Sequence, residues 1–263
     1  MYRRIEFSIR GGVRITALWR QGHGTPIVFL HGLCGSSVYF DGAFAHPALE
    51  TKPLLALDLP GFGSSPALDD QGLDKIAATV VAVMQEISNG RSPWIVAHSM
   101  SSSIAARVLD QVGGVTLIEG NLLPEHLDFS DRILKDSRND YCRTHRRMQE
   151  MADVIVRYQT RLRDPVLIER YAQSYMQCGA AVVWDIAAGC SQDVRTGRTV
   201  DLINAWGGPV TCLSGALSPY NETAPSIVAR LPNVKLSLVA ASKHFPMLDN
   251  PDETYSLLAA DLG

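Results

Sequence analysis

Short apolar runs, each stopping at glycine or polar residues, recur along this sequence and leave few folds open to it. Runs such as "PIVFL" at 26–30 and "PLLALDL" at 53–59 are typical of strands that are buried on both faces of a sheet. Similar runs follow at 92–97, 114–119, 208–214 and 234–240. Ahead of them, "RIEFSI" and "VRITALW" flank Gly11 and Gly12, which predicts an antiparallel hairpin.

Segments with helical spacing alternate with these runs and span 76–87, about 100–109 and 251–261. Strands that alternate with helices form a mostly parallel α/β sheet. We therefore predict an eight-stranded, mostly parallel sheet that is flanked by helices. Residues 121–205 differ, because they carry long charged, helix-compatible segments with few β-branched runs. This stretch predicts a helical cap that is inserted into a core formed by residues 1–120 and 206–263.

The composition fits one large domain and argues against several classes of protein. With 263 residues, of which 46% are hydrophobic, the chain can bury a full core. Its net charge of −3 gives no indication of a nucleic-acid partner or of binding to an acidic membrane surface. No stretch approaches the ~18 uninterrupted apolar residues of a membrane span, and no apolar signal segment follows the basic residues near the N-terminus. We therefore expect a soluble, cytoplasmic protein.

The segment "IVAHSMSSSIA" at 95–105 places Ser99 between an apolar run and a helix-compatible stretch of small residues. A serine nucleophile is presented on such a strand-to-helix turn, whose usual pattern is Gly-x-Ser-x-Gly. Ala97 and Ser101 stand at the two glycine positions. Because the turn requires small residues, these replacements weaken the pattern without contradicting the geometry. Taken alone, the segment allows two interpretations: a nucleophile elbow, or a serine that caps the helix.

Two further loops are predicted at the sheet edge where Ser99 emerges. His244 follows the last strand, so it can be the base that a serine hydroxyl needs to become nucleophilic; a surface loop histidine is the alternative. After the first buried strand, Gly32 allows the backbone to turn sharply. The amides of Leu33 and Met100 are then predicted to form an oxyanion hole, although this loop also fits an ordinary glycine-rich strand exit.

Three residues near these loops are assigned structural roles. Asp58, in "DLPGFGSS", is expected to bond loop amides. His98 is expected to pack against the turn at Ser99, and Cys34 is expected to be a small wall residue beside the oxyanion loop.

The motifs "HGLCGSS", "DLPGFGSS", "AHSMSSSIA" and "SKHFPMLDNPDE" occur in this order, each after a predicted strand. With them the chain resembles the α/β-hydrolase superfamily over nearly its whole length. The resemblance implies a Ser–acid–His triad, with Ser99 as nucleophile and His244 as base.

The acid of this triad is less clear from the resemblance, because its usual position is occupied by Ser218. A hydroxyl cannot hold a negative charge opposite an imidazolium, so we expect the usual position to hold no acid. Some members of the superfamily, such as haloalkane dehalogenases, are similar in carrying their acid where Glu119 ends a strand. A buried carboxylate is costly unless it is paired, and His244 would pair it. We therefore predict Glu119 as the acid; Glu222, no acid, or a Glu119 that caps nearby amides are the alternatives.

These residues predict a serine hydrolase of a small, largely apolar molecule that acts through an acyl-enzyme. The bond cleaved would be a carboxylic ester, thioester or lactone. An acyltransferase, a cyclase or a C–C bond hydrolase with the same triad is the first alternative, and a non-catalytic ligand-binding relative is the second. The five widely spaced cysteines include no Cys-x-x-Cys pair, so we expect no disulfide framework and no metal site. No cofactor is expected, and no feature of the sequence addresses the oligomeric state.

Overall fold

The computed structural model describes residues 2–9 and 11–262, so Met1 and Gly263, at the limits of the predicted core, and Arg10, in the predicted hairpin, lie outside the described residues. The strands are β1 (Arg3–Ile9), β2 (Val13–Arg20), β3 (Ile27–Leu30), β4 (Leu54–Leu57), β5 (Trp94–His98), β6 (Gly114–Ile118), β7 (Val210–Gly215) and β8 (Lys235–Val239). Within the described residues they form one 8-stranded sheet in the order β1-β2-β4-β3-β5-β6-β7-β8.

The direction of the strands gives the sheet one edge at which most loops meet. β1 pairs antiparallel with β2, and β2 pairs antiparallel with β4. All remaining neighbours, from β4 through β3 to β8, are parallel. The predicted eight-stranded, mostly parallel sheet is thereby confirmed. The carboxyl ends of the parallel strands define what we call the carboxyl edge, where ligands of open α/β sheets bind.

The helices are α1 (Asp41–Ala45), α2 (Leu73–Ile87), α3 (Ser101–Ala105), α4 (Asp128–Leu134), α5 (Arg138–Glu150), α6 (Ala152–Gln159), α7 (Pro165–Met176), α8 (Ala180–Arg195), α9 (Arg198–Trp206), α10 (Ala224–Arg230), α11 (Pro246–Asp249) and α12 (Pro251–Asp261). Strands β3 to β7 are buried along their whole length between them. The helix predicted at 251–261 matches α12, and α2 begins three residues before the predicted start at 76.

The helix predicted from about 100 to 109 is wrong in length. The α-helix α3 ends at Ala105, because the amides of Arg107 and Val108 bond to carbonyls three residues earlier, those of Ile104 and Ala105. These tighter turns end the regular helix early. Arg107 itself is drawn into ion pairs with Asp74 and Asp193.

Helices α4 to α9 lie between β6 and β7, where the sequence predicts a cap over 121–205, and α9 ends at Trp206. We call residues 121–206 the helical segment. Several buried bonds tie it to the loops of the carboxyl edge: the Ser36 and Ser174 hydroxyls lie 2.8 Å apart, and the Tyr39 hydroxyl donates to the carbonyl of Tyr171 at 3.1 Å. The division into core and cap stays a prediction.

Within the described part of the chain, no helix has both the length and the apolar character needed to cross a membrane. All five cysteines are free thiols.

Candidate active site

Ser99 occupies a sharp turn between β5 and α3. Its backbone has a φ of 55°, in the left-handed region that side-chain-bearing residues rarely adopt. The turn is held by the Ser99 amide, which donates to the carbonyl of Ile118 at 3.0 Å, on the neighbouring strand β6. Such strain at a strand-to-helix turn is the geometry of a nucleophile elbow. No side-chain hydrogen bond caps α3, so the alternative role of Ser99 as a helix cap is not seen within the described residues.

Ala97 and Ser101 occupy the two glycine positions of the elbow pattern. Ala97 and Ser101 are both fully buried, which shows that the turn accommodates their side chains. The Ser101 hydroxyl donates to the carbonyl of His31, in the loop after β3. Ser101 therefore joins the elbow to the loop that carries Leu33, which a glycine could not do.

His244 lies between Ser99 and Glu119. Its Nε2 is 3.2 Å from Ser99 Oγ, and its Nδ1 is 3.2 Å from Glu119 Oε2. A carboxylate accepts a proton from the nitrogen it faces, so Nδ1 carries the proton and Nε2 offers its lone pair to the Ser99 hydroxyl. The side chain is 18% exposed, so it is not the freely exposed surface histidine of the alternative interpretation.

Glu119 directly follows β6 with a φ of 49°, and its side chain is completely buried. The carboxylate accepts from the Gly215 amide at 2.7 Å and from the Ser218 hydroxyl at 2.6 Å, in addition to its contact with His244. The amide it bonds is on β7, not one that follows Gly120. Glu222 is exposed and makes no hydrogen bond with His244 among the described residues. The structure thus places Glu119, rather than Glu222, against the histidine.

The contact of Ser218 with Glu119 was not predicted from the sequence. The sequence predicts that the position of Ser218 holds no acid, and the structure adds that its hydroxyl donates to the carboxylate of Glu119. The contact joins residues 99 positions apart in the chain, at the ends of two adjacent strands. The sequence signal available was that Ser218 occupies the usual position of the acid, which becomes informative once Glu119 is placed.

The predicted oxyanion amides lie beside Ser99. Leu33 and Met100 line the same cavity as Ser99 and His244. Within the described residues, neither amide donates to a protein acceptor, so both N–H groups are available to a ligand. A Cβ atom on Gly32 would lie 2.6 Å from His98 Nδ1 and 3.1 Å from Ser99 Cβ. Glycine therefore allows this loop to approach the elbow closely.

His98 packs beneath the turn, as predicted, and also supports His244. Its Nε2 lies 2.9 Å from the carbonyl oxygen of His244, to which it donates. Burial lowers the pKa of His98 well below its usual range, so the ring stays neutral near pH 7. His98 therefore adds no second positive charge beside a protonated His244.

The structure refines the assignments of Asp58 and Cys34. Asp58 accepts from the amides of Ser37 at 2.7 Å and Ser64 at 2.9 Å, the loop-amide role that we predicted. Cys34 does not line the cavity, which corrects its assignment as a wall residue. It is fully buried against Cys178, and this contact together with burial raises the pKa of its thiol well above the usual range.

A cavity of about 990 Å³ opens in front of Ser99. Apolar and polar side chains both line its wall, many of them from the helical segment and the loop after β7. The apolar and aromatic lining residues include Leu33, Met100, Phe129, Tyr175 and Phe245, and the polar ones include Asn121, His126, Tyr220 and Thr223. Among the residues that the structure describes, no group of His, Cys, Asp and Glu is placed to hold a metal ion.

Gly215→Ala is expected to destabilise the protein and to disturb the surroundings of His244. A Cβ atom there would overlap the carbonyl oxygen of Lys243 and lie 2.6 Å from that of Ser242. Both belong to the loop that carries His244, so this loop or β7 must move. We expect the free energy of unfolding, measured by urea denaturation, to fall by about 1–3 kcal/mol.

The matched control is Gly113→Ala, where the nearest atom to an added Cβ is the carbonyl oxygen of Ser92 at an ordinary 3.5 Å. An equal loss of stability in both variants would show that the close approach at Gly215 is unimportant.

The fold agrees with comparisons to known proteins. A model of the alpha/beta hydrolase family matches residues 27–257. Esterase YbfF of Escherichia coli (strain K12) is 20% identical over 250 residues, which cover 91% of this chain and 94% of that protein. Among solved structures, the esterase EaEST from Exiguobacterium antarcticum has a TM-score of 0.80 at 17% identity and covers 99% of both chains. A thermophilic esterase from Thermogutta terrifontis has a TM-score of 0.76 at 16% identity, over 98% of this chain and 97% of that one.

At such low identity the solved structures establish the fold alone. The family model, however, spans most of the chain, including the residues from β3 to α12 that build the carboxyl edge. The chain therefore belongs to the alpha/beta hydrolase family.

Proposed function

We propose that this protein is a serine hydrolase that cleaves a carboxylic ester, thioester or lactone of a small, largely apolar substrate. The observation that carries the proposal is the continuous chain of contacts from Glu119 through His244 to Ser99 Oγ. Glu119 is the acid in this proposal, His244 the base and Ser99 the nucleophile. The relatives named as esterases support ester bonds as the target. The cytoplasmic location expected from the sequence stays a prediction.

The first half of the reaction forms an acyl-enzyme. His244 Nε2 accepts the hydroxyl proton as Ser99 Oγ attacks the substrate carbonyl carbon. Glu119, buried beside Nδ1, stabilises the imidazolium that results. The amides of Leu33 and Met100 donate to the oxygen that becomes negative. The intermediate then collapses, the bond to the leaving group breaks, and His244 returns the proton to the departing alcohol or thiol.

The second half uses water in place of the alcohol. His244 Nε2 takes a proton from a water molecule, whose oxygen attacks the acyl carbon, and the same amides bind the second oxyanion. Collapse restores the Ser99 hydroxyl and releases the carboxylic acid. Every proton in the cycle passes through one nitrogen of His244, so the neutrality of His98 beside it favours the reaction.

The cavity supports a substrate with an apolar body. Leu33, Met100 and Phe245 line the same cavity as Ser99 with apolar side chains, which favours an acyl chain or ring. The polar lining residues, such as Asn121 and Tyr220, can bind a polar substituent or the leaving group.

Labelling with a fluorophosphonate probe tests the proposal. We expect one covalent adduct on Ser99, located by peptide mass spectrometry, and its loss in His244→Ala, because the base that activates the hydroxyl is gone.

Ser103→Ala is the matched control, since this serine lies on the same helix but its hydroxyl contacts Thr199 instead. It is expected to be labelled like the wild-type protein. A folded wild-type protein that resists the probe would overturn the proposed activity and favour a non-catalytic ligand-binding role.

A further inference from the structure

The contacts of the Glu119 carboxylate distinguish its two oxygens. Oε1 accepts from the Gly215 amide at 2.7 Å. Oε2 accepts from the Ser218 hydroxyl at 2.6 Å and faces His244 Nδ1 at 3.2 Å. The oxygen that acts on the histidine is therefore the same one that Ser218 holds.

We propose that Ser218 is a positioning residue for the hydrolytic reaction, which holds Glu119 Oε2 toward His244; this inference rests on the function proposed above. Ser218 is 5% exposed and follows β7 at the carboxyl edge. Its hydroxyl acts on the acid and makes no contact with Ser99 or with the oxyanion amides among the described residues.

The direction of the Ser218 hydroxyl is set by its second contact. Ser218 Oγ accepts a hydrogen bond from the Tyr220 amide at 3.2 Å, as the cap of the short 3₁₀ helix Pro219–Thr223. This bond occupies a lone pair of the oxygen, and the hydroxyl proton is left for the carboxylate. A hydrogen bond between a hydroxyl and a buried carboxylate is of the strong, charge-assisted kind.

The effect of this bond should appear in kcat rather than in KM. His244 becomes positive only as Ser99 is attacked, so a carboxylate held at Nδ1 stabilises the transition state more than the bound substrate. Without the hydroxyl, Glu119 keeps Gly215 as its remaining donor besides His244, and Oε2 can turn away from the imidazole.

A cap alone is the competing explanation, because Ser218 also begins a 3₁₀ helix. The two explanations differ in their dependence on Glu119. A positioning effect disappears when the carboxylate is absent, whereas the loss of a cap weakens the loop whether or not Glu119 is charged. A double-mutant cycle with Glu119→Gln separates them.

The experiment measures kcat and KM for ester hydrolysis in wild type, Ser218→Ala, Glu119→Gln and the double variant. We expect Ser218→Ala to lower kcat by about 10-fold and to leave KM within about twofold. In the Glu119→Gln background, the same change is expected to alter kcat by less than about twofold.

Two further variants keep the test decisive if Ser218→Ala folds poorly. Ser218→Thr and Ser218→Val have nearly the same shape and differ in the hydroxyl, so Thr is expected to retain most of kcat and Val is not. Ser137→Ala is the matched control, because Ser137 also caps a helix and bonds a carboxylate, that of Asp140, on the exposed helix α5. It is expected to leave kcat unchanged.

Each outcome has one meaning. Equal kcat for Ser218→Thr and Ser218→Val, or a loss that is the same with and without Glu119, overturns the positioning role while leaving the proposed function intact. A Glu119→Gln variant with wild-type kcat instead overturns Glu119 as the acid, and the inference about Ser218 with it.

Discussion

Ser99→Ala is expected to lower kcat for ester hydrolysis by about 10⁶-fold, the loss found when a serine nucleophile is removed from a triad enzyme. The remaining side chains cannot replace it, because the oxygen facing His244 Nε2 is Ser99 Oγ and no acyl-enzyme can form without it. Residual hydrolysis by bound water, assisted by the free amides of Leu33 and Met100, sets the floor. Steady-state kinetics with an activated ester, on a variant purified free of wild type, measures the loss.

The protein fold should survive this change. Ser99 has a φ of 55° and its amide is bonded to the Ile118 carbonyl, and among the described residues its hydroxyl forms a hydrogen bond with His244 alone. Removal of the Ser99 hydroxyl should leave the melting temperature of the protein equal or slightly higher. Ser103→Ala provides the parallel control on helix α3 and should keep the wild-type kcat. If Ser99→Ala hydrolyses esters at the wild-type rate, the nucleophile lies elsewhere and the mechanism above is wrong.

The part of the site that could be predicted from the sequence is the part that follows from strand order. Ser99, His244 and Glu119 each come directly after, or soon after, an apolar run. Parallel strands bring such positions to one edge, so the sequence predicts that a serine, a histidine and a carboxylate meet there. The structure places all three at this edge, with His244 within hydrogen-bond distance of both Ser99 and Glu119.

The part that could not be predicted depends on turns and cross-strand distances. Glu119 and Ala241 both have a positive φ, at 49° and 52°, which neither a carboxylate nor an alanine signals in a sequence. These turns decide that Glu119 points to the end of β7 and that the loop after β8 returns toward it. The bond from Ser218 and the close approach at Gly215 follow from these turns, and pattern reading along one strand at a time cannot find them.

The predicted length of α3 is wrong for a related reason. Residues 101–105 suit a helix, and so do Ala106 and Arg107 by propensity. Tertiary contacts override that preference, because the Arg107 guanidinium forms ion pairs with Asp74 on α2 and Asp193 on α8. The elbow is unaffected, since it depends on the first turn of α3 alone.

Glu119→Gln is the second change with a large expected effect, and it decides which carboxylate serves the histidine. The substitution keeps the size of the side chain and removes its charge. An amide nitrogen facing His244 Nδ1 would donate to it and move the ring proton to Nε2, where it would block acceptance of the Ser99 proton. We expect kcat to fall by about 10⁴-fold with little change in KM, the effect of the equivalent change in a known triad.

The rate of fluorophosphonate labelling at Ser99 should fall in parallel, because the same general base is required for that reaction. Glu222→Gln makes the same chemical change on the exposed carboxylate, and kcat is expected to stay within about twofold of wild type. Thermal melts must show that both variants remain folded, since Glu119 is buried and accepts from Gly215 and Ser218. A loss confined to Glu222→Gln would mean that the loop after β7 closes over the site during reaction and that Glu119 only supports it. A loss confined to Glu119→Gln would mean that the acid lies at the end of β6, and that Ser218, at the end of β7, bonds the acid rather than replacing it.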